Sequence, residues 1–349
     1  MPNMPPLVVL IAALGLGACG RLGYQARESD GDGGDPDARD GDGGATPDGG
    51  PQPEGCLAGL IVTTAADEDD SGEVPEPPHL GAGLSLREAI AIGNQRAGRD
   101  CITFTGVTAI SVGSELPALE DPDGTGIDGG GVVSISSGGG VPTGLRLVSD
   151  GNEVFNLEML NILVCMQING SASVIRGLHL HDCATTGLVV AAVADQTEIG
   201  PCLMHDNGGT AIAALGTSNL AVRNCTLTKN RNSGIDATAG GTDLLVENTI
   251  STDNREYGVA VDPGAPVDVV YSDVAGNRLE DCLNCTPGEG SITGNPMFVD
   301  PTGDDYTLAA GSPAIDTGRV NGIDVNGGSD GDFNGLAPDM GGLESPPPI

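Results

Sequence analysis

Two short segments, HLHDC at His179–Cys183 and LMHDN at Leu203–Asn207, each set a histidine directly before an aspartate: His181 before Asp182, and His205 before Asp206. Imidazole changes charge near neutral pH, so a histidine beside a carboxylate can move protons, and two such pairs brought together can ligate a transition metal. The competing reading is a polar ladder at a structural corner. A second set lies in DGDFNG at Asp330–Gly335, where Asp330, Asp332 and Asn334 follow the first half of a calcium loop. Position twelve of that loop would be Gly341 rather than Glu, which excludes an EF-hand, and Asp339 or Glu344 would have to complete an irregular site. Calcium is the one cofactor these residues suggest. Cys282 and Cys285 form a C-x-x-C in a loop rich in Gly, Pro and acids, and are expected to close a local disulfide, since the second pair that a zinc site needs is missing.

What could bring the His-Asp pairs together is a repeat. Ile175, Ile199, Val222 and Val246 are spaced 24, 23 and 24 residues apart. Counted from each anchor, plus two holds Gly177, Pro201, Asn224 and Asn248; plus five holds Leu180, Met204, Leu227 and Ser251; plus eight holds Cys183, Asn207, Asn230 and Asn254. Plus twelve holds Gly187, Ala211, Gly234 and Gly258, each followed by an aliphatic residue. Ser251 interrupts its column, with Ile250 beside it. Val270 is expected to begin a fifth rung, and NEVFNLEMLN an earlier one. A period in the low twenties, with short apolar strands and Asn or Gly corners, indicates a solenoid of stacked coils. Coils about 4.8 Å apart would set His181 and His205 about 5 Å from each other. No stretch of the repeat carries helical periodicity. Arg176 and Arg223 share the plus-one column with Glu247, a pattern that reads as a charged surface face.

The expected fold class is therefore all-β, and the pattern resembles the right-handed parallel β-helix of pectate-lyase-like proteins. Both ends need covers, because an open sheet edge invites aggregation. Near the start, Ser85 and Glu88 predict a capping box for a short helix that ends at Gly93-Asn94, with Leu86, Ala89, Ile90 and Ile92 as its apolar face. The segments IVTTAADEDD, LSLREAIAIGN, CITFTG and LPALEDPDGTGIDGGG together resemble the CSLREA domain; that family's usual cysteine is Leu84 here, which implies that its disulfide is absent. GNPMFVDPTGDDYTLAAGSPAIDTG at Gly294–Gly318, followed by APDMGGLE, resembles the choice-of-anchor Q domain. Neither resemblance implies catalysis; both imply a bacterial surface or secreted protein.

The N-terminus has an apolar run from Leu7 to Leu16, too short to span a bilayer, ending in LGAC at Leu16–Cys19. That ending resembles the lipobox of bacterial lipoproteins, which implies a lipid on Cys19 and, with Gly20 next, the outer membrane or cell surface. No Lys or Arg precedes the apolar run, a departure from the usual signal peptide. Five regions follow: signal peptide 1–18, an acidic Gly/Asp/Pro tether 19–55 too polar to fold, an entry region 56–150, repeat coils 151–290 and a C-terminal region 291–349. Of the other cysteines, Cys56 and Cys101 flank the entry region and could pair, while Cys202 and Cys225 share the plus-three column, as a bridge or as two inward small hydrophobes.

Lys+Arg number 14 against 49 Asp+Glu, a net charge of -35, so binding to nucleic acid or another polyanion by bulk charge is excluded. Aromatic residues are 2 % of the chain, too few for the stacking platforms that sugar-cleaving sites usually carry. The expected function is a monomeric, lipid-anchored β-helix that binds a glycan or an envelope protein, or serves structurally, without catalysis. The rival is a polysaccharide lyase or glycoside hydrolase of the same fold, using His181, Asp182, His205 and Asp206.

Overall fold

Ile175, Ile199, Val222 and Val246 point inward and lie directly above one another, each fully buried. They belong to strands Val174–Arg176, Thr197–Ile199, Leu220–Arg223 and Leu244–Glu247, which pair in parallel as the first of three stacks. The second stack holds Leu178–His181, Cys202–His205, Cys225–Thr228, Ile250–Thr252 and Asp273–Ala275. The third runs from Thr143–Leu147 through Val164–Ile168, Thr186–Val190, Ile212–Ala214, Ile235–Ala237 and Tyr257–Val261 to Glu280–Leu283. The strands Thr125–Ser137 and Glu153–Leu160 bend across the corner and pair into both the first and second stacks. This computed structural model, which describes residues 58–69, 83–217, 219–323, 325 and 333–345, is a right-handed parallel β-helix of about eight turns.

The columns read from the repeat are the columns of the core. Leu180, Met204, Leu227 and Ser251 stack in register, as do Leu188, Ile212, Ile235 and Val259. Ser251 keeps its place. It is fully buried, its hydroxyl donates to the Gly258 carbonyl at 2.9 Å, and it accepts from Asn254 Nδ2 at 3.3 Å. The fifth rung is a correction: Val246 pairs with Val269, not Val270, and Val269 is the buried residue of the two. Alternation decides which of two adjacent valines faces in, and their identical hydrophobicity hides that choice in the sequence.

Corner chemistry is divided between columns. The left-handed backbone falls at plus two, with φ of 62° at Gly177, 50° at Asn224 and 49° at Asn248, and at plus seven, with 51° at Asp182 and Asp206, 54° at Lys229 and 56° at Asp253. Asn and Asp tolerate this region better than other side chains. The plus-eight asparagines instead form a buried amide ladder: Asn207 Nδ2 donates to Asn230 Oδ1 at 2.9 Å, Asn230 to Asn254 at 2.9 Å, and Asn254 to Asn277 at 3.0 Å. Each amide also bonds backbone groups left open where strands end, as Asn230 Nδ2 does with the Met204 and Thr228 carbonyls. Cys183 takes the asparagine position in its own coil, and its backbone N–H donates to Asn207 Oδ1.

The helix Leu86–Gly93 has the capping box, with Ser85 and Glu88 bonded reciprocally and Asn94 as the C-cap. Its buried face, Leu86, Ala89, Ile90 and Ile92, packs on strands Ala58–Val62 and Asp100–Phe104 and closes the first coil. Leu84 is buried at the helix entry.

The C-terminal residues lie against the outer side of the second stack. Ile250 faces outward there and is 1 % exposed, because Leu308, Ala314 and Met340 cover it. Burial of one such side chain stabilises by about 1.5–3 kcal/mol. Asn248 exchanges two hydrogen bonds of 2.7 Å with the Arg319 backbone, and Gly342 N–H donates to Thr226 Oγ1 at 3.0 Å. Gly342 permits this approach: a Cβ there would sit 2.1 Å from the Cys202 carbonyl oxygen.

Replacing Asn230 with Ala removes the middle of the amide ladder and leaves buried groups on both neighbouring coils unpaired. The expected loss is about 2–4 kcal/mol of unfolding free energy, read from guanidinium melts. An unchanged midpoint would mean that the ladder contributes no stability.

Candidate functional site

Alternation along Leu178–His181 turns Leu178 and Leu180 inward and leaves His179 and His181 side by side outside. The next coil pairs His205 with His181, and the preceding one pairs Glu158 with His179. The His181 and His205 rings are parallel within 2° at 5.1 Å between centroids, as coil spacing requires. The ring of His179 lies 4.5 Å from that of His181 and 5.0 Å from that of His205. Three imidazoles from two coils thus share one patch.

Carboxylates orient the rings. His181 Nδ1 lies 2.9 Å from Asp182 Oδ2, and His205 Nδ1 lies 2.9 Å from Asp206 Oδ2, each aspartate folding back from its left-handed corner onto the preceding ring. Glu158 Oε1 sits 3.1 Å from His181 Nε2 and 3.4 Å from His179 Nδ1. The Nε2 atoms of His179 and His205 are 2.8 Å apart, a distance that admits one proton between them and not two. With His205 Nδ1–H donating to Asp206, its Nε2 is the acceptor and His179 the donor, a tautomer assignment inferred from the network. Burial, and then the neighbouring His181 and His205, lower the pKa of His179 to about 4. Burial also lowers that of His205, against the opposing hydrogen bond that its ring donates to Asp206.

The C-terminal region supplies the remaining wall. Tyr306 is 1 % exposed, its hydroxyl 3.2 Å from Asp206 Oδ2 and 3.4 Å from Asp304 Oδ1, and its ring 4.7 Å from that of His205. Burial and these two carboxylates push its pKa far up, so it stays a neutral donor. Phe298 meets Tyr306 edge-on at 5.4 Å. Lys229, the single lysine of the chain, lies over the Tyr306 ring at 5.2 Å and donates to the Pro301 carbonyl. Beside Glu158 and His179 a hollow of about 170 Å³ is walled by Val132, Val133, Leu157 and two glycines. It falls below the roughly 300–1,000 Å³ of a drug-sized ligand pocket. A larger polar cleft of about 540 Å³ opens further along, between Asp253, Asp281 and Asn295.

The structure brings His181, Asp182, His205 and Asp206 together as the repeat predicts. His179 is a further member that the spacing implies: two places before His181 in a strand, it shares the same face. Glu158 sits in the earlier rung. Asp304 and Tyr306 gave no local signal.

The other expected sites fare differently. Cys19, Asp330 and Asp332 lie outside the described residues, as does Cys56, while Cys101 is disulfide-bonded. Asn334 Nδ2 donates to the Ser345 carbonyl at 2.9 Å. Asp339 accepts from the Asp316 and Ser345 amides, and both Glu344 oxygens accept from the Asn334 and Asp339 amides. The two carboxylates that would complete a calcium shell are therefore engaged with backbone, and burial pushes Glu344 up to about 7. Cys282 and Cys285 form a disulfide, Cys202 is bridged to Cys225 across adjacent coils, and Cys165 is bridged to Cys183, a pair the spacing did not reveal.

On the first stack, the plus-one residues Arg176, Arg223 and Glu247 form an ion-pair ladder with Glu198, which stands one place before its anchor Ile199. Arg176 meets Glu198 at 3.3 Å, Arg223 meets Glu198 at 3.2 Å and Glu247 at 3.3 Å, and Arg319 from the C-terminal region meets Glu247 at 3.5 Å. Among the described residues no helix is long and apolar enough to cross a membrane.

Residues 143–295 match the family model described as the right handed beta helix region. A solved structure, the crystal structure of pectate lyase Pel9A, is similar with a TM-score of 0.48 at 12 % identity, covering 83 % of this chain and 97 % of that chain. No curated protein matches the chain.

Because His179 has a depressed pKa, the folded patch favours its neutral form; the associated stability is present above the ordinary value of 6.5 and is lost as pH falls through about 4. An NMR titration of the metal-free protein is expected to find one imidazole with a midpoint near 4, absent in His179→Gln. Histidine midpoints all at or above 6.5 would contradict the packing described.

Proposed function

We propose that this chain is an exported, lipid-anchored β-helix that binds a glycan or an envelope partner along its coils without turning it over. The observation that carries this reading is the ion-pair ladder: Arg176 is paired with Glu198 of the next rung, and Arg223 with Glu198 of the preceding rung and Glu247 of the next. With those charges engaged and a net charge of -35, the coils offer little to a polyuronate. A neutral glycan or a protein surface suits them better. Three disulfides among the described residues fit an oxidising compartment. A lipid on Cys19, followed by the acidic stretch to residue 55, would hold the coils away from the bilayer.

A second reading, a lyase or hydrolase acting at the histidine patch, is favoured by one observation: three of the four histidines converge with Glu158 there. The purified chain, incubated with neutral and acidic polysaccharides, discriminates the two. Binding without catalysis predicts retention on a neutral polymer, with no new reducing ends or unsaturated products, and retention unchanged in His205→Ala. Product that disappears in His205→Ala would overturn it in favour of the enzyme.

The anchor has its own test. Cys19→Ser is expected to abolish incorporation of labelled fatty acid and to shift the protein from the membrane fraction to the soluble one. Unchanged labelling would refute lipidation at Cys19.

A further inference from the structure

We propose that the outer face of the second stack carries a binding site for one divalent transition-metal ion, with Glu158, His179 and His181 as ligands and His205 alongside. One ligand atom from each of Glu158, His179 and His181 lies within 4.8 Å of the other two, before any ion draws them in. These residues come from neighbouring strands, so their spacing is set by the rigid coil ladder and not by a loop. His205 stands beside the set: Glu158 Oε1 is 3.4 Å from His179 Nδ1, while the other nitrogen of that ring, Nε2, is 2.8 Å from His205 Nε2, so His205 holds the His179 ring in place.

Ring orientation is an independent argument. Metal-bound histidines usually donate their second ring N–H to a carboxylate, which fixes the tautomer and directs the free nitrogen at the ion. His181 and His205 both have this partner: Asp182 and Asp206 each hold Nδ1 at 2.9 Å and leave Nε2 turned into the patch. A histidine repeated only for corner packing has no need of an aspartate on its Nδ1 in both coils.

The ligand types select the ion. Imidazoles with one carboxylate suit zinc, nickel or copper, whereas calcium and magnesium take oxygen shells. Three protein ligands leave an outward coordination position, and the hollow walled by Val132, Val133 and Leu157 borders Glu158 and His179. A second donor group, His205, Asp206 and Asp304, also lies within 4.8 Å. There, however, His205 Nδ1 is already bonded to Asp206, which in turn accepts from Tyr306. The first group is therefore the ion's place, with Asp182 orienting His181 and His205 orienting His179.

The test uses the full chain, stripped with a chelator and titrated with zinc in the presence of excess calcium, so that diffuse attraction to an acidic protein is suppressed. About one equivalent is expected to bind. His179→Ala and His181→Ala should each weaken binding by at least tenfold, Asp182→Asn by about tenfold, and Asp304→Asn should leave it unchanged. Both histidine side chains point out of the core, and melts of the metal-free variants verify that they fold. Copper bound to the unaltered protein provides a variant-free check, since imidazole ligands give nitrogen hyperfine structure in its paramagnetic resonance spectrum. Calcium displacing zinc, a copper spectrum without nitrogen, or full affinity in the His179→Ala/His181→Ala double variant would each overturn the proposal. So would affinity lost in Asp304→Asn alone, which would put the ion in the other group. Retention of a glycan is a separate measurement, and either result stands without the other.

Discussion

Everything in this molecule depends on the parallel pairing of each coil with the next. Neighbouring strands must lie about 4.7–4.9 Å apart for their backbone groups to bond, so a residue at one position of the repeat sits directly above its counterpart. Whatever the sequence places in a column is thereby stacked. An aliphatic column becomes a dry core, as with Ile175, Ile199, Val222 and Val246. An amide column becomes a chain of hydrogen bonds, as with Asn207, Asn230, Asn254 and Asn277. Charges in neighbouring columns become an ion-pair ladder, and a histidine repeated in two coils becomes a pair of parallel rings.

The same constraint requires the ends and one face to be covered. The helix Leu86–Gly93 closes the first coil, and the C-terminal residues cover Ile250 outside the second stack. That cover reaches His205 through Tyr306 and leaves His179 and His181 more open, so one packing solution both protects an apolar patch and leaves part of a polar one accessible. The arginines are used differently. They hold rung to rung along the first stack, where Arg176, Arg223 and Glu198 are partly exposed and Glu247 is buried.

How far the sequence could be read follows from the range of each interaction. Stacked columns repeat every two dozen residues, so the anchors, the Asn ladder and the pairing of His181 with His205 were all legible in the spacing. The fifth anchor is Val269 and not Val270, a difference of one position that the spacing does not resolve because both are equally apolar and only alternation separates them. His179 was legible by the rule that residues two apart in a strand share a face. Tyr306 was not, because it meets Asp206 across a separation of 100 residues, and nothing within either segment names the other. The Cys165–Cys183 bridge was hidden for a related reason: it joins the start of one third-stack strand to a corner of the following coil, outside any single column.

The wall that Tyr306 and Asp304 give the histidine patch has a consequence in time. A chain that emerges from a ribosome or a translocon N-terminus first can stack its coils one after another, each templated on the last. His179, His181 and His205 are then in place while the residues that flank them have yet to appear. The patch acquires its phenol, and His205 loses most of its contact with water, only after the last sixth of the chain arrives and docks. Any chemistry that needs that enclosed form is silent until the segment carrying Asp304 and Tyr306 has been made and has docked.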